Sequence, residues 1–92
     1  MMLQKAVDMG EYDTEYLSTF PEWYTFSRHI QFQYIRTAIG NRHAQLITQW
    51  VEINNILDFR LKPNLQIALK NIEKQLKKLE KDREKLFLDY SK

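Results

Sequence analysis

The sequence has no cysteine, which excludes a disulfide scaffold and any metal site built on thiolates. It contains only two glycines and two prolines in 92 residues, and so few helix breakers favour long helices over a turn-rich β fold. No apolar run has the length of a membrane span, and the first residues lack the continuous apolar stretch of a signal peptide. We therefore expect a single all-α protein that is cytoplasmic and has no membrane partner.

The net charge is only +2, but the charges are segregated along the chain. Residues 6–27 contain five acids and neither Lys nor Arg, whereas residues 62–92 contain eight Lys and one Arg against five acids. We expect residues 1–18 to form a flexible acidic N-terminal arm and residues 19–92 to form a helical domain. Because opposite charges attract, residues 8–15 should lie near a basic surface.

The first two predicted helices form an αα-hairpin. Thr19 is a candidate cap for a helix over about residues 20–39, with Glu22 three residues later. Gly40 can adopt the left-handed conformation that closes a helix, and Asn41 can cap the next helix, over about residues 42–61. So short a turn predicts that the two helices are antiparallel.

The second predicted helix has an unusually wide apolar face. Its central stripe should lie in the core and consists of Leu46, Trp50, Ile53 and Leu57. The stripe is widened by Ile47, Val51 and Ile56, and a face of this width usually touches two neighbours. Pro63 should end this helix, because proline removes a backbone donor and crowds the preceding turn.

A third helix, over about residues 64–91 with Asn64 as its cap, carries a heptad pattern. The seam positions alternate in steps of four and three and are Leu65, Leu69, Ile72, Leu76, Leu79, Arg83, Leu86 and Tyr90. This spacing is typical both of a three-helix bundle and of an intermolecular coiled coil, and the sequence leaves both open. At 1.5 Å per residue this helix should be roughly 39 Å long and the second roughly 30 Å, so the end of the third should project beyond its neighbour.

No residue pattern indicates catalysis, a cofactor or a metal ion. His29 and His43 lie in different predicted helices, and neither belongs to a His-x-x-x-His or Glu-x-x-His pair. The acids between Asp8 and Glu15 lack the ligand alternation and the closing Glu of a calcium loop. We therefore expect no catalytic residues, no metal site, no cofactor and no enzymatic activity.

The pattern favours a small helical interaction protein, such as an adaptor, regulator or assembly subunit, that self-associates through its last helix, most simply as a homodimer. The predicted interface consists of Leu79, Arg83, Leu86, Phe87, Leu88 and Tyr90, with Tyr12 and Tyr16 from the arm as aromatic anchors. Arg83 is the one charged seam position, and it either pairs locally with Glu80 or Glu84 or meets a carboxylate of a partner.

The alternative function is nucleic-acid binding without sequence preference. A row of lysines lies on the side of the last helix away from its seam: Lys70, Lys74, Lys77, Lys78, Lys81 and Lys85. Phosphates are attracted to such a stripe through counterion release. A lysine-rich outer face is also common on helices that bind nothing. The acidic arm, in addition, weakens the positive electrostatic potential that would attract phosphates.

Overall fold

In the computed structural model, which describes residues 2–91, the protein is all-α. Four α-helices follow one another: α1 (Leu3–Asp8), α2 (Thr14–Leu17), α3 (Arg28–Asn54) and α4 (Pro63–Tyr90). Short 3₁₀ helices lie at Pro21–Thr25 and Phe59–Leu61, and no strand occurs among the described residues. The all-α prediction is therefore confirmed, although the number and the bounds of the helices differ from those predicted.

The two long helices α3 and α4 form an antiparallel hairpin. They have 27 and 28 residues, so each is about 40 Å long. The connection contains Asp58 in the left-handed conformation (φ 59°), which aspartate tolerates better than most residues. Pro63 opens α4, where its missing N–H has no intrahelical partner to lose. The predicted break at Pro63 is thus confirmed, but α3 ends at Asn54 rather than Leu61 and the cap position of α4 is Lys62 rather than Asn64.

The predicted turn at Gly40 and Asn41 is wrong. Gly40 lies in the middle of α3, where glycine costs about 1 kcal/mol relative to alanine but does not by itself end a helix. Of the two glycines, only Gly10 has a positive φ, of 85°. The packing of α3 around this position, through Ile39 and Leu46, keeps the helix continuous. The hairpin of the protein is therefore α3 with α4, instead of two shorter helices on either side of Gly40.

The start of the first long helix also differs from the prediction. Thr19 does not cap it, because Pro21 opens a 3₁₀ helix instead of an α-helix. The hydroxyl oxygen of Ser27 accepts a hydrogen bond from the amide of Ile30 (3.2 Å) and caps α3. The side-chain amide of Gln31 donates to the Trp23 carbonyl (2.9 Å) and joins the 3₁₀ helix to α3.

The segment predicted as a flexible acidic arm instead supplies much of the core. Residues 2–26, which we call the N-terminal layer, bury the side chains of Leu3, Ala6, Val7, Leu17 and Trp23. These side chains form one cluster with the buried residues of the hairpin, which are Ile35, Ala38, Ile39, Leu46, Ile72 and Leu79. The Asn41 amide also donates to the Val7 carbonyl (3.0 Å). The expectation of an arm separate from the helical domain is corrected by this packing.

Gly10 explains how closely the N-terminal layer approaches α3. A Cβ at this position would lie 3.0 Å from the backbone of Arg42, which is tighter than nearly all Cβ contacts and would require α3 to shift. The positive φ of Gly10 is also strained for any other residue. Gly10 therefore permits both the sharp turn after α1 and the close contact with α3.

The core does not extend along the whole hairpin. No side chain from residue 47 to residue 71, all of which the structure describes, is fully buried. Leu46 is 3% exposed as predicted, but Trp50 is 37% and Leu57 81% exposed. The prediction that Trp50 and Leu57 belong to the core is wrong, because the hydrogen bonds between the N-terminal layer and α3 reach Arg42 and Gln45, whereas Trp50 lies beyond them and Leu57 lies beyond the end of α3.

The molecule is consequently long and thin. Its principal extents are 51 × 28 × 17 Å and its radius of gyration is 15.9 Å, whereas a compact chain of this length has a radius near ~12 Å. The accessible surface is 6680 Å², against roughly 5,700 Å² for a folded monomer of this mass. The excess of about 1,000 Å² is comparable to the share of one partner in an ordinary protein interface.

Candidate interaction surface

One side of the α3–α4 hairpin carries no further layer. Asn41, Arg42 and Gln45 contact the N-terminal layer, and the opposite side of α3 is exposed. Residues on that side recur in steps of four and three: Arg36, Gly40, His43, Ile47 and Trp50, with Val51 beside them. We call this side of the hairpin the open face.

A groove of about 400 Å³ runs along the open face between the two helices. Its α3 wall includes Arg36, Gly40 and His43, and its α4 wall includes Leu76, Glu80 and Phe87. A Cβ added at Gly40 would have nothing within 4 Å, so the backbone of α3 is exposed at this point. Such a position lets another helix approach closely.

The two walls of the open face carry opposite charge. Of the three Arg of α3, only Arg36 lines the groove, beside His43, because Arg42 contacts the N-terminal layer and Arg28 contacts the end of α4. The single acid of α3 is Glu52. By helical spacing Glu52 lies on another side of α3 than Arg36. Along α4, Glu80 and Arg83 line the groove as an ion pair, and by helical spacing Glu73 and Glu84 lie on the same side of α4. The open face is therefore apolar with one positive charge, Arg36, on α3, and is net negative on α4, where three acids lie beside one Arg.

Arg83 lies in this groove and has local partners. Its guanidinium is 3.3 Å from the Glu80 carboxylate and 4.8 Å from the centroid of the Phe87 ring. The side chain remains 45% exposed, so this ion pair contributes little to stability. Of the two predicted roles for Arg83, the local one with Glu80 is the arrangement in the chain.

The end of α4 does not project beyond its neighbour. The Phe32 ring lies 5.2 Å from Phe87 and 5.7 Å from Tyr90, centroid to centroid. The Arg28 guanidinium lies 4.6 Å from the Tyr90 ring and donates to the Asp89 carbonyl. Burial raises the pKa of Tyr90 above its ordinary value. The predicted overhang is wrong because α3 begins at Arg28 and is as long as α4.

The predicted interface residues are therefore divided between core and surface. Leu79 is buried, while Leu86, Phe87 and Tyr90 are partly buried against the core. Leu88 is 66% exposed and is the apolar residue of the predicted end that faces solvent. The argument for self-association through the tip of α4 is lost with this packing.

Tyr12 is held inside the molecule and is not a free anchor. Its hydroxyl donates a 2.5 Å hydrogen bond to the Asp82 carboxylate, which also accepts from Lys78 at 2.7 Å. Burial and the bond to Asp82 raise the pKa of Tyr12 well above its ordinary value. The bonds from Lys78 and Tyr12 lower the pKa of Asp82. A groove of about 570 Å³ lies between residues 10–15 and α4 at this point.

The other arm residues follow the predicted charge attraction in part. The Glu11 carboxylate lies 3.3 Å from the Arg42 guanidinium, so the acidic segment does meet a basic residue of the same chain. The Tyr16 ring is 37% exposed and makes an edge contact with Phe20, with 5.5 Å between centroids.

The six lysines of the predicted nucleic-acid surface are exposed, but they differ in their neighbours. Lys70, Lys74, Lys77 and Lys81 are exposed on the outer side of α4, whereas Lys78 pairs with Asp82 and Lys85 lines the groove beside Tyr12. Nothing in the geometry points to a bound phosphate, and nucleic-acid binding stays a prediction.

The part of the chain that the structure describes contains neither a cluster of metal ligands nor a membrane-spanning helix. Within residues 2–91, no three His, Cys, Asp or Glu side chains come together as a metal-binding group. No helix in this range is both long and apolar enough to cross a membrane.

The residue pattern does not by itself identify the open face as a site, although the sequence contains an indication of it. The wide apolar stripe of Ile47, Trp50 and Val51 predicts two neighbours, and the chain provides one. The prediction of a helix end at Gly40 obscures the continuity of the stripe across this residue.

Compared with known proteins, the chain matches no protein family, no curated protein and no solved structure.

Proposed function

We propose that this chain is a helical protein–protein interaction module whose docking surface is the open face. The observation that carries the proposal is the second half of α3, where Ile47, Trp50 and Val51 are each more than one third exposed on one continuous side. An apolar side of this width on an ordinary helix is covered from two directions, and here α4 covers only one.

The energetics of the isolated chain support this function. Burial of apolar surface contributes about 25 cal/mol per Å². The apolar part of the excess surface of this thin molecule would therefore stabilise a complex in which a partner covers it. Aromatic side chains concentrate binding energy at interfaces, and Trp50 is the largest side chain exposed on this stripe. A partner that covers the open face would complete the missing layer of the bundle.

Site-specific photocrosslinking tests the proposal. Benzoylphenylalanine at Ile47 places a reactive group on the open face, and the same residue at Thr48 places it on the next side of α3, which is also exposed. We expect a protein crosslink from position 47, in cells that express the chain, and little or none from position 48. Equal crosslinking from both positions, or none from position 47, would contradict the proposal.

A further inference from the structure

We infer that the partner on the open face is a second copy of this chain, and that two hairpins pack face to face as a four-helix bundle in which α3 lies against α4 of the other copy. This inference rests on the proposed function, because it assigns an occupant to the same surface. It differs from association through the tip of α4, since the contact runs along both helices and centres near Gly40.

The size of the open face suits such a dimer. Two helices about 40 Å long and 8–10 Å apart present a surface roughly 20 Å wide, or about 800 Å² in projection. A stable interface of ordinary size buries about 800 Å² on each partner. One molecule is thin, with a smallest principal extent of 17 Å, and a second hairpin packed on the open face would give four helices in cross-section, as in a four-helix bundle.

The charge distribution selects both the occupant and its orientation. A two-fold interface must be complementary to itself, and the open face carries Arg36 on α3 and a net negative charge on α4. A two-fold axis parallel to the helices places α3 over α4 of the other copy. Arg36, with which no described carboxylate forms an ion pair, then lies at the level of Glu84. An axis across the helices would place α3 over α3 and bring like charges together.

Gly40 leaves the centre of this surface without a side chain. A Cβ there meets nothing within the chain, so neither packing nor a turn in the monomer requires glycine at this position. Glycine in the middle of a helix is unfavourable by about 1 kcal/mol relative to alanine. Close approach of a second helix gives the residue a role that the single chain does not.

Sedimentation equilibrium of the full chain tests the inference. At roughly 100 µM, a concentration that populates a dimer of micromolar Kd, we expect a mass of about 22 kDa, twice the 11.2 kDa of one chain. Gly40→Trp should raise the dimer Kd by ~100-fold or more, because an indole cannot fit between closely packed helices. Its circular dichroism and monomer fold should be unchanged, since the space around Gly40 is empty.

Thr48→Trp is the matched control, because it adds the same side chain to an exposed position of α3 off the open face. It should leave the dimer Kd within about 2-fold of the wild type. Gly40→Trp and Thr48→Trp with equal dimer affinities would overturn the assignment of the open face.

Charge reversal supplies a test that does not depend on bulk. Arg36→Glu alone and Glu84→Arg alone should each raise the dimer Kd by ~10-fold, through new like-charge contacts. The double variant should recover most of the affinity, because the two charges exchange places across the interface. A double variant as weak as the product of the single effects would overturn the proposed orientation.

The mass and the crosslinking results together separate this inference from the proposed function. A monomer of 11.2 kDa whose Ile47 position still crosslinks to a different protein would reject the second copy and retain the interaction module. A monomer without any crosslink from position 47 would reject both. A crosslink of about 22 kDa between two copies, lost in Gly40→Trp, would support both.

Discussion

Tyr12 ties the N-terminal layer to α4 through its hydrogen bond to Asp82, across 70 positions of sequence. A hydroxyl that bonds a carboxylate favours the protonated phenol, and the carboxylate in turn is stabilised by Tyr12 and Lys78. Arg83 is a contrasting case, because it is exposed and satisfied by its helical neighbour Glu80. At the scale of residues, the N-terminal layer is therefore joined to α4 by a partly buried hydrogen bond in addition to the apolar cluster.

Tyr12→Phe should lower the free energy of unfolding by about 1 kcal/mol at neutral pH, the usual contribution of one hydrogen bond. Because the pKa of Tyr12 is higher in the folded chain than its ordinary value of 10.0, its contribution is present below pH 10 and is lost as the pH rises beyond it. Urea unfolding of both proteins at neutral and alkaline pH measures this, and the difference between them should shrink above pH 10. Tyr24→Phe, at an exposed tyrosine, is the control, and a difference that does not change with pH would contradict the role given to Tyr12.

At the scale of elements, α3 is one helix with two environments. As far as Leu46 it lies between the N-terminal layer and α4, and beyond Leu46 none of its residues is fully buried. The boundary falls just after Leu46, the last residue of α3 that is fully buried. Identical apolar residues on either side of this boundary should therefore contribute very differently to stability.

Leu46→Ala should cost about 2–5 kcal/mol, as a truncation inside a packed core does. Leu57→Ala, at a leucine that is 81% exposed, should cost less than about 0.5 kcal/mol. Both belong to the same predicted stripe, so the pair is its own control, and thermal or urea unfolding measures each. Equal costs would mean that Leu57 is covered in solution by a part of the chain or by a partner.

At the scale of the whole molecule, the first 26 residues decide whether the hairpin has a core. Leu3, Ala6 and Val7 are buried against α3, and the Glu11–Arg42 pair and the Asn41 contact hold the same segment in place. The expectation of a flexible arm is not compatible with this burial, and removal of the segment would expose part of the core.

Deletion of residues 1–16 should lower the free energy of unfolding by at least about 3 kcal/mol, since burial of one large apolar side chain contributes about 1.5–3 kcal/mol. A small protein has roughly 5–15 kcal/mol in total, so the truncated chain should be largely unfolded or aggregated. Circular dichroism and urea unfolding measure the loss. Glu15→Gln, which alters only the charge of an exposed residue in that segment, is the control, and a truncated chain as stable as the wild type would contradict the packing.

The sequence by itself determined the helical class, the break at Pro63 and the seam of α4 from Leu65 to Tyr90, because composition, proline chemistry and residue spacing act locally. Only the tertiary structure decided that Gly40 stays helical, that the acidic segment is core and that Trp50 is exposed. Whether a glycine ends a helix or continues it depends on the packing around it. The spacing of apolar residues predicts that a helix face is apolar, but it does not specify which part of the molecule, or which partner, covers that face. The N-terminal layer covers the other side of the hairpin within the chain, whereas for the open face we propose that a second molecule supplies the cover.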